Sequence, residues 1–329
     1  MNVQPTWLGI DVSQATFDAA RAAPGQTEDL RAIAVRRFPR TLPGVRACLD
    51  WTGLDLAGVA MESTGGYSRE LQGGFGQLLP GVPVAVLNPA QVKAFGQSLG
   101  IRTKTDPVDA RVIACFAAER HPKAAWTRAP VHEALRQLTR QRVALVEMAM
   151  AQRLRMKAWG EVPQPLAQVH VAVMEALKQG IRELDRALAK EVAGCDELKQ
   201  DVALLTTIPG VGRLTAVSTL GALGDLRRFN RGRQLSAFAG VSPRQRESGT
   251  SVHGRTRMCK QGSAFARRAL YMAAMTACRD KGPLGALYRR LVARGKARRA
   301  ALGVLMRKLL LLMRAVLISG QPYQPSFKA

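Results

Sequence analysis

"TWLGIDVSQATFDAARAA", residues 6–23, is the stretch on which the fold turns. Its first seven residues are a short, nearly apolar run of strand formers interrupted only by Asp11, which reads as a buried strand. "TFDAARAA" follows after a brief polar break, and "RAIAVRRF" (31–38) after a longer one; both read as hairpin partners of the first strand. Beyond them the pattern changes. "LPGVRACLDWTG" (42–53) is helical, "LAGVAMES" (56–63) a strand, "YSRELQGGFGQLL" (67–79) helical and "VPVAVLNP" (82–89) a strand, with helices expected near 89–97 and 107–120. Three early strands followed by alternating α and β elements predict a mixed sheet with helices on its faces.

Strand signals stop near residue 126. "VHEALRQLTRQRVALVEMAMAQRLRMKAW" (131–159) and "PLAQVHVAVMEALKQGIRELDRALAKEV" (165–192) carry apolar residues at helical spacing around a Pro/Gly turn. They predict an antiparallel coiled-coil pair, a common dimer surface. The last third reads as helices and loops. In "LLTTIPGVGRLTAVSTLGAL" (204–223) a Pro-Gly-x-Gly turn separates two apolar helical runs, the pattern of a helix-hairpin-helix. Turn amides of that kind can hold a nucleic-acid phosphate, which makes Gly210, Gly212 and Arg213 candidate contacts; a plain helical turn fits the same letters. The polar stretch 237–255 reads as a loop, and a helix near 263–279 and a final basic amphipathic helix follow. The expected division is 1–125, 126–200 and 201–329.

Charge is unevenly spread. The 329 residues hold 49 Lys/Arg against 24 Asp/Glu, a formal charge of +25, and residues 201–329 alone hold 24 basic and 4 acidic residues. So one-sided a charge predicts a polyanionic partner, DNA or RNA being the most general. The five cysteines are scattered without a CxxC pair, which offers no zinc site and fits a reducing cytoplasm. No secretory signal pattern opens the chain, and "LGVLMRKLLLLMRAVLISG" (302–320) is broken by Arg307, Lys308 and Arg314, so no membrane span is expected.

Against this basic background four carboxylates stand out by position. Asp11 and Glu62 lie at the ends of two expected strands, where open α/β sheets bind ligands. Asp106 and Asp109, in "RTKTDPVDARVIA", share one face of a helix start. Asp106 followed by Pro107 and Asp109 also fits an ordinary helix cap, and Asp11 or Glu62 alone would pass as a turn residue. As a set, they offer the oxygen ligands that Mg2+ or Mn2+ requires beside a phosphodiester.

With these residues in view, "LGIDVS…MESTGGY…LNP…RTKTDPVDAR" resembles the RNase H-like, RuvC-type domain of the DEDD transposases of bacterial insertion sequences. "IPGVG…AFAGVSPRQRESGTSVHG…GSAFARRALYMAA" is similar to the serine-bearing C-terminal domain of the same family, known as bridge-RNA-guided recombinases. The resemblance implies a catalytic and metal-binding set of Asp11, Glu62, Asp106 and Asp109, Mg2+ (or Mn2+) as cofactor, and Ser248 as the nucleophile. It further implies target and donor DNA and a structured guide RNA as partners, with a homo-oligomer, a dimer assembling to a tetramer, sharing composite sites. Localisation in the cytoplasm, at the nucleoid, would follow.

Around Ser248, the cations Arg244, Arg246, Arg255, Arg257 and Lys260 are candidate clamps on the DNA backbone. Thr250 and Ser251 are neighbouring hydroxyls, Ser251 being the rival nucleophile, and His253 reads as a base, a phosphate contact or a plain loop residue. Tyr67 and Asn88 fall on family motif positions and are expected to be structural. Trp51 and Trp126 are expected to pack rather than to stack on bases, and an aromatic content of 5% argues against extensive stacking by the protein. Two other functions fit parts of the pattern: a metal-dependent structure-specific nuclease using activated water, and a non-catalytic helix-hairpin-helix binding protein.

Overall fold

The computed structural model of the chain describes residues 6–53, 55–101, 105–248 and 252–325, and within 246–248 and 252–255 it describes the backbone alone. Two compact units emerge, Met1–Thr127 and Arg128–Ala329.

The first unit contains β1 (Thr6–Val12), β2 (Thr16–Ala22), β3 (Val35–Pro39), α1 (Leu42–Thr52), β4 (Leu56–Glu62), α2 (Gly66–Leu78), β5 (Val84–Leu87), α3 (Pro89–Ser98) and α4 (Asp106–Arg120). The sheet order is β3-β2-β1-β4-β5: β1, β2 and β3 are antiparallel neighbours, and β1, β4 and β5 run parallel. This is the mixed sheet the sequence predicts, and it is consistent with an RNase H-like domain. The third strand is shorter than "RAIAVRRF" suggests. Leu30–Ala32 form a 3-10 turn instead, because the Asp29 carboxylate accepts from the Arg31 amide at 3.0 Å and caps it.

Burial on both faces follows from the period of two. Leu8, Ile10 and Val12 of β1 face Val45 and Leu49 of α1 and Leu71 and Phe75 of α2. Trp7, Ala20, Ala60 and Ala85 face the other way, against Ala110, Ile113 and Ala114 of α4. Small residues predominate under α4, and Gly9 is the extreme case. A Cβ there would lie 2.5 Å from the Ala110 carbonyl oxygen and closer still to the Ala114 nitrogen. Helix and strand backbones therefore touch at Gly9, and only glycine permits it.

The second unit contains α5 (Pro130–Trp159), α6 (Gln164–Ala193), α7 (Asp196–Thr206), α8 (Arg213–Leu223), α9 (Gly232–Ala239), β6 (Pro243–Ser248), β7 (Val252–Met258), α10 (Ala264–Ala277), α11 (Pro283–Ala293) and α12 (Arg298–Ser319). Helices α5 and α6 form the expected long antiparallel pair, with Arg142 bonded to Asp185 at 2.6 Å. The apolar tract near the C-terminus is the centre of the core. Leu305, Leu309, Met313 and Val316 of α12 are fully buried among residues of α7–α10, and Arg314 donates to the Phe229 carbonyl at 2.6 and 2.9 Å. Among the described residues no helix is long and apolar enough to cross a membrane.

Arg227 ties this core together. Its guanidinium pairs with buried Asp201 of α7, one bond measuring 2.9 Å, and also donates to Asp225 at 3.1 Å and to the Leu317 carbonyl at 3.1 Å. The Asp201 hydrogen bond pushes its pKa further above the ordinary arginine value.

One expectation is corrected. The polar stretch around Ser248 contains β6 and β7, a two-stranded antiparallel ribbon with Arg244 opposite Arg257, Glu247 opposite His253 and Ser248 opposite Val252. The reason the sequence reads as a loop is physical. Every residue from 243 to 248 is charged, polar or proline, so there is no buried apolar face to leave an alternating trace.

The closeness of α4 to β1 is testable. Gly9→Ala should destabilise the chain by about 3 kcal/mol, the upper end for overpacking, since both obstructing groups are backbone. Urea denaturation of the purified variant against the parent measures it.

Candidate active site

Geometry across the sheet brings the acidic residues together. Arg37 of β3 pairs in register with Asp18 of β2, and Asp18 with Asp11 of β1. Glu62 of β4 lies one residue beyond the Ile10–Met61 pair, at the end of its strand. Ile10 and Met61 point into the α1/α2 core, so the alternation of strands turns Asp11 and Glu62 to the α4 face. There the start of α4 presents Asp106 and Asp109 in its first turn. The Gly9 contact with Ala110 and Ala114 is what lays that helix start over the end of β1.

The electrostatics agree with this placement. The Asp11 carboxyl is pushed up to about 6, first by burial and then by the negative charges of Asp109, Asp106, Glu62 and Asp18. Asp11 thus lies within electrostatic reach of the other three expected carboxylates and of Asp18. The helix-cap explanation of Asp106 does not hold. Thr105 is the N-cap residue, Asp106 is the first helical residue, and its carboxylate bonds to Arg37 Nη2 at 3.3 Å. Among the described residues no three His, Cys, Asp or Glu side chains enclose an ion-sized space. The donors nevertheless fit a hard divalent cation: all are carboxylate oxygens, brought together from two strands and a helix, and mutually repelling without it.

Sequence reading missed two members of this cluster. Asp18 is 3% exposed, and Arg37 clasps it through Nε and Nη2 at 2.9–3.2 Å. A signal existed. Asp18 is the one charged residue among the inward positions of "TFDAARA", and a buried carboxylate requires a partner.

Other expected residues are dispersed. Asn88 caps α3, accepting from the Ala90 amide at 2.9 Å, and is structural as expected. The Tyr67 ring lies under the Arg40 guanidinium, 4.4 Å away. Trp51 packs against Phe38, whereas Trp126 is 39% exposed and does not join the core. In the second unit Ser248 is the last residue of β6, and its side chain lies outside the described residues, as do those of Arg246, His253 and Arg255. Thr250 and Ser251 lie outside them altogether. Arg244, Arg257 and Lys260 are exposed on or beside the ribbon. Gly210 has φ +87°, and a Cβ there would meet the Ala273 carbonyl at 2.7 Å, so the tight turn is built for packing on α10. Gly212 and Arg213 face solvent at the start of α8, whose first amides receive no side-chain cap.

The raised Asp11 carboxyl has a pH signature. Between the ordinary aspartate pKa near 4 and about 6, the folded chain holds a proton that the unfolded chain has lost. Stability therefore falls as pH rises through that window, and ionised Asp11 is a net cost at neutral pH. In metal-free protein, Asp11→Asn should raise the melting temperature by roughly 2–4 °C at neutral pH, and the gain should vanish below the ordinary aspartate pKa. Thermal melts across pH read it directly.

Comparison with known proteins places the chain. Residues 8–159 match the DEDD transposase model of the IS110 type, and residues 202–289 match the model described as the transposase IS116/IS110/IS902 family. The pilin gene-inverting protein of Moraxella bovis is 27% identical over 324 residues, covering 97% of each chain. The transposase for insertion sequence element IS1111A of Coxiella burnetii is 27% identical over 269 residues, covering 74% of this chain and 70% of that one. An acidic cluster at the sheet edge and a serine-bearing basic unit, matched in that order by two models of one family, make this chain a member of the IS110-type DEDD transposases, enzymes that act on DNA.

Proposed function

We propose that the chain is an RNA-guided DNA recombinase that cuts and rejoins strands through a covalent phosphoserine on Ser248, with Mg2+ held by Asp11, Glu62, Asp106 and Asp109. The observation that carries this reading is the convergence of those four carboxylates at the end of β1, with Asp11 raised by burial and then by its acidic neighbours. When bound, the divalent cation polarises the scissile phosphate and offsets its charge. The four carboxylates would hold that ion at the strand ends, leaving the phosphate itself to be gripped by cationic side chains. The Ser248 oxygen attacks phosphorus as its proton passes to a base; the O–P bond to one nucleotide breaks, and that nucleotide's oxygen leaves as a hydroxyl. The phosphodiester energy is retained in the seryl ester, so a second strand's hydroxyl can reverse the step without ATP.

The family's DNA substrates agree with the charge of residues 201–329. On this reading Arg213, Arg244, Arg246, Arg255, Arg257 and Lys260 clamp backbone phosphates, and the amides at Gly210 and Gly212 add a helix-hairpin-helix contact. The functional division then runs 1–125 for the carboxylate domain, 126–200 for a coiled-coil oligomerisation segment and 201–329 for the serine domain. Sequence choice belongs to a structured guide RNA, in keeping with the low aromatic content.

Trapping decides the mechanism. Incubated with the RNA from its flanking DNA, duplex substrate and Mg2+, the protein should form a protein–DNA adduct that Ser248→Ala abolishes. Asp11→Asn and Asp109→Asn should each lower strand cleavage by roughly a hundredfold or more. Hydrolysis at full rate in the Ser248→Ala protein would overturn the serine mechanism in favour of a water-using nuclease.

A further inference from the structure

One contact in the carboxylate cluster is left unused by the proposed chemistry. Arg37 Nη2 donates both to Asp18 Oδ2, at 2.9 Å, and to Asp106 Oδ2, at 3.3 Å, while its Nε donates to both Asp18 oxygens at 3.1 and 3.2 Å. An Nη carries two hydrogens, so neither bond excludes the other. Surface ion pairs usually hold two long, mobile side chains at an entropic cost. This one differs, because Asp18 is 3% exposed and anchors the guanidinium through a two-pronged clasp. The Asp106 contact is then made by a cation already fixed in place.

We infer that Arg37, anchored by Asp18, is a built-in counter-ion of the carboxylate cluster: it holds Asp106 in the metal-free chain and competes with the divalent cation for that ligand. The inference rests on the reading that the cluster binds metal. It places a fixed positive charge beside the acidic cluster, with Asp106 turned to β3, toward Arg37. For the cluster to close on a cation, Asp106 must leave the guanidinium, whose charge also opposes the incoming ion. Asp18 keeps Arg37 in place afterwards, so the competition is reversible.

The test is a Mn2+ titration of the full-length protein without nucleic acid, following free Mn2+ by electron paramagnetic resonance. Arg37→Gln should bind Mn2+ about 2- to 5-fold more tightly than the parent, the size expected for one exposed ion pair. Arg37→Lys, which keeps the charge but lacks the planar fork that clasps Asp18, should fall between them, and it decides the matter alone if the Gln variant does not fold. Metal-free Arg37→Gln should also melt below the parent, with saturating Mn2+ narrowing the gap. Affinity unchanged or weakened in the variants, or a melting deficit that Mn2+ leaves intact, overturns the counter-ion role while the metal-binding reading stands. Absence of Mn2+ binding in parent and variants alike overturns both.

Discussion

The chemistry of the N-terminal unit depends on the close approach of α4 to β1. At Gly9 the two backbones are in contact, and that contact sets where the first turn of α4 falls relative to Asp11. A side chain of any size there would lift the helix and draw Asp106 and Asp109 away from the strand ends. The sheet contributes the rest by register. Arg37, Asp18 and Asp11 lie in a row across three strands, with Glu62 on the fourth, and the alternation of each strand turns them to the α4 face. Burial and, after it, the repulsion of like charges collected in this way both raise the Asp11 carboxyl. The positive end of the α4 dipole and the Arg37 guanidinium offset part of that repulsion.

The second unit solves a different problem, that of folding a strongly basic chain. Its apolar material is concentrated in α12 and the helices around it, with Arg227 and Arg314 spent on internal carbonyls and on Asp201. Most of the remaining cations lie outside the core. The ribbon β6–β7 that bears Ser248 is built from polar residues and carries Arg244 opposite Arg257. A ribbon of that kind holds its backbone through cross-strand hydrogen bonds rather than through buried side chains. Arg244 and Arg257, both exposed, are accordingly not spent on packing.

Much of this was legible in the sequence. The β-β-β-α-β-α-β order, the two 30-residue helices and the positions of Asp11, Glu62, Asp106 and Asp109 all have local signatures: period, capping residues, and acids at element ends. The ribbon was not legible, since polar strands without a buried face leave no alternation. The clasp of Asp18 by Arg37 was equally hidden, because its two residues lie 19 apart and meet only through strand pairing.

The sequence by itself determined the elements of the N-terminal unit and the long helices, their order, the skewed charge and the family, because each of these is written in short-range spacing or in composition. Tertiary structure alone decided which side of the sheet Asp11 faces, that Asp106 serves no cap, and that Gly210 packs on α10. It also decided that a buried aspartate and an exposed arginine join the acidic cluster. The physical reason is one of range. Spacing along the chain governs hydrogen bonds within an element, whereas the field at Asp11 is the sum of charges brought by three other elements, β2, β4 and α4, and only their packing fixes the distances.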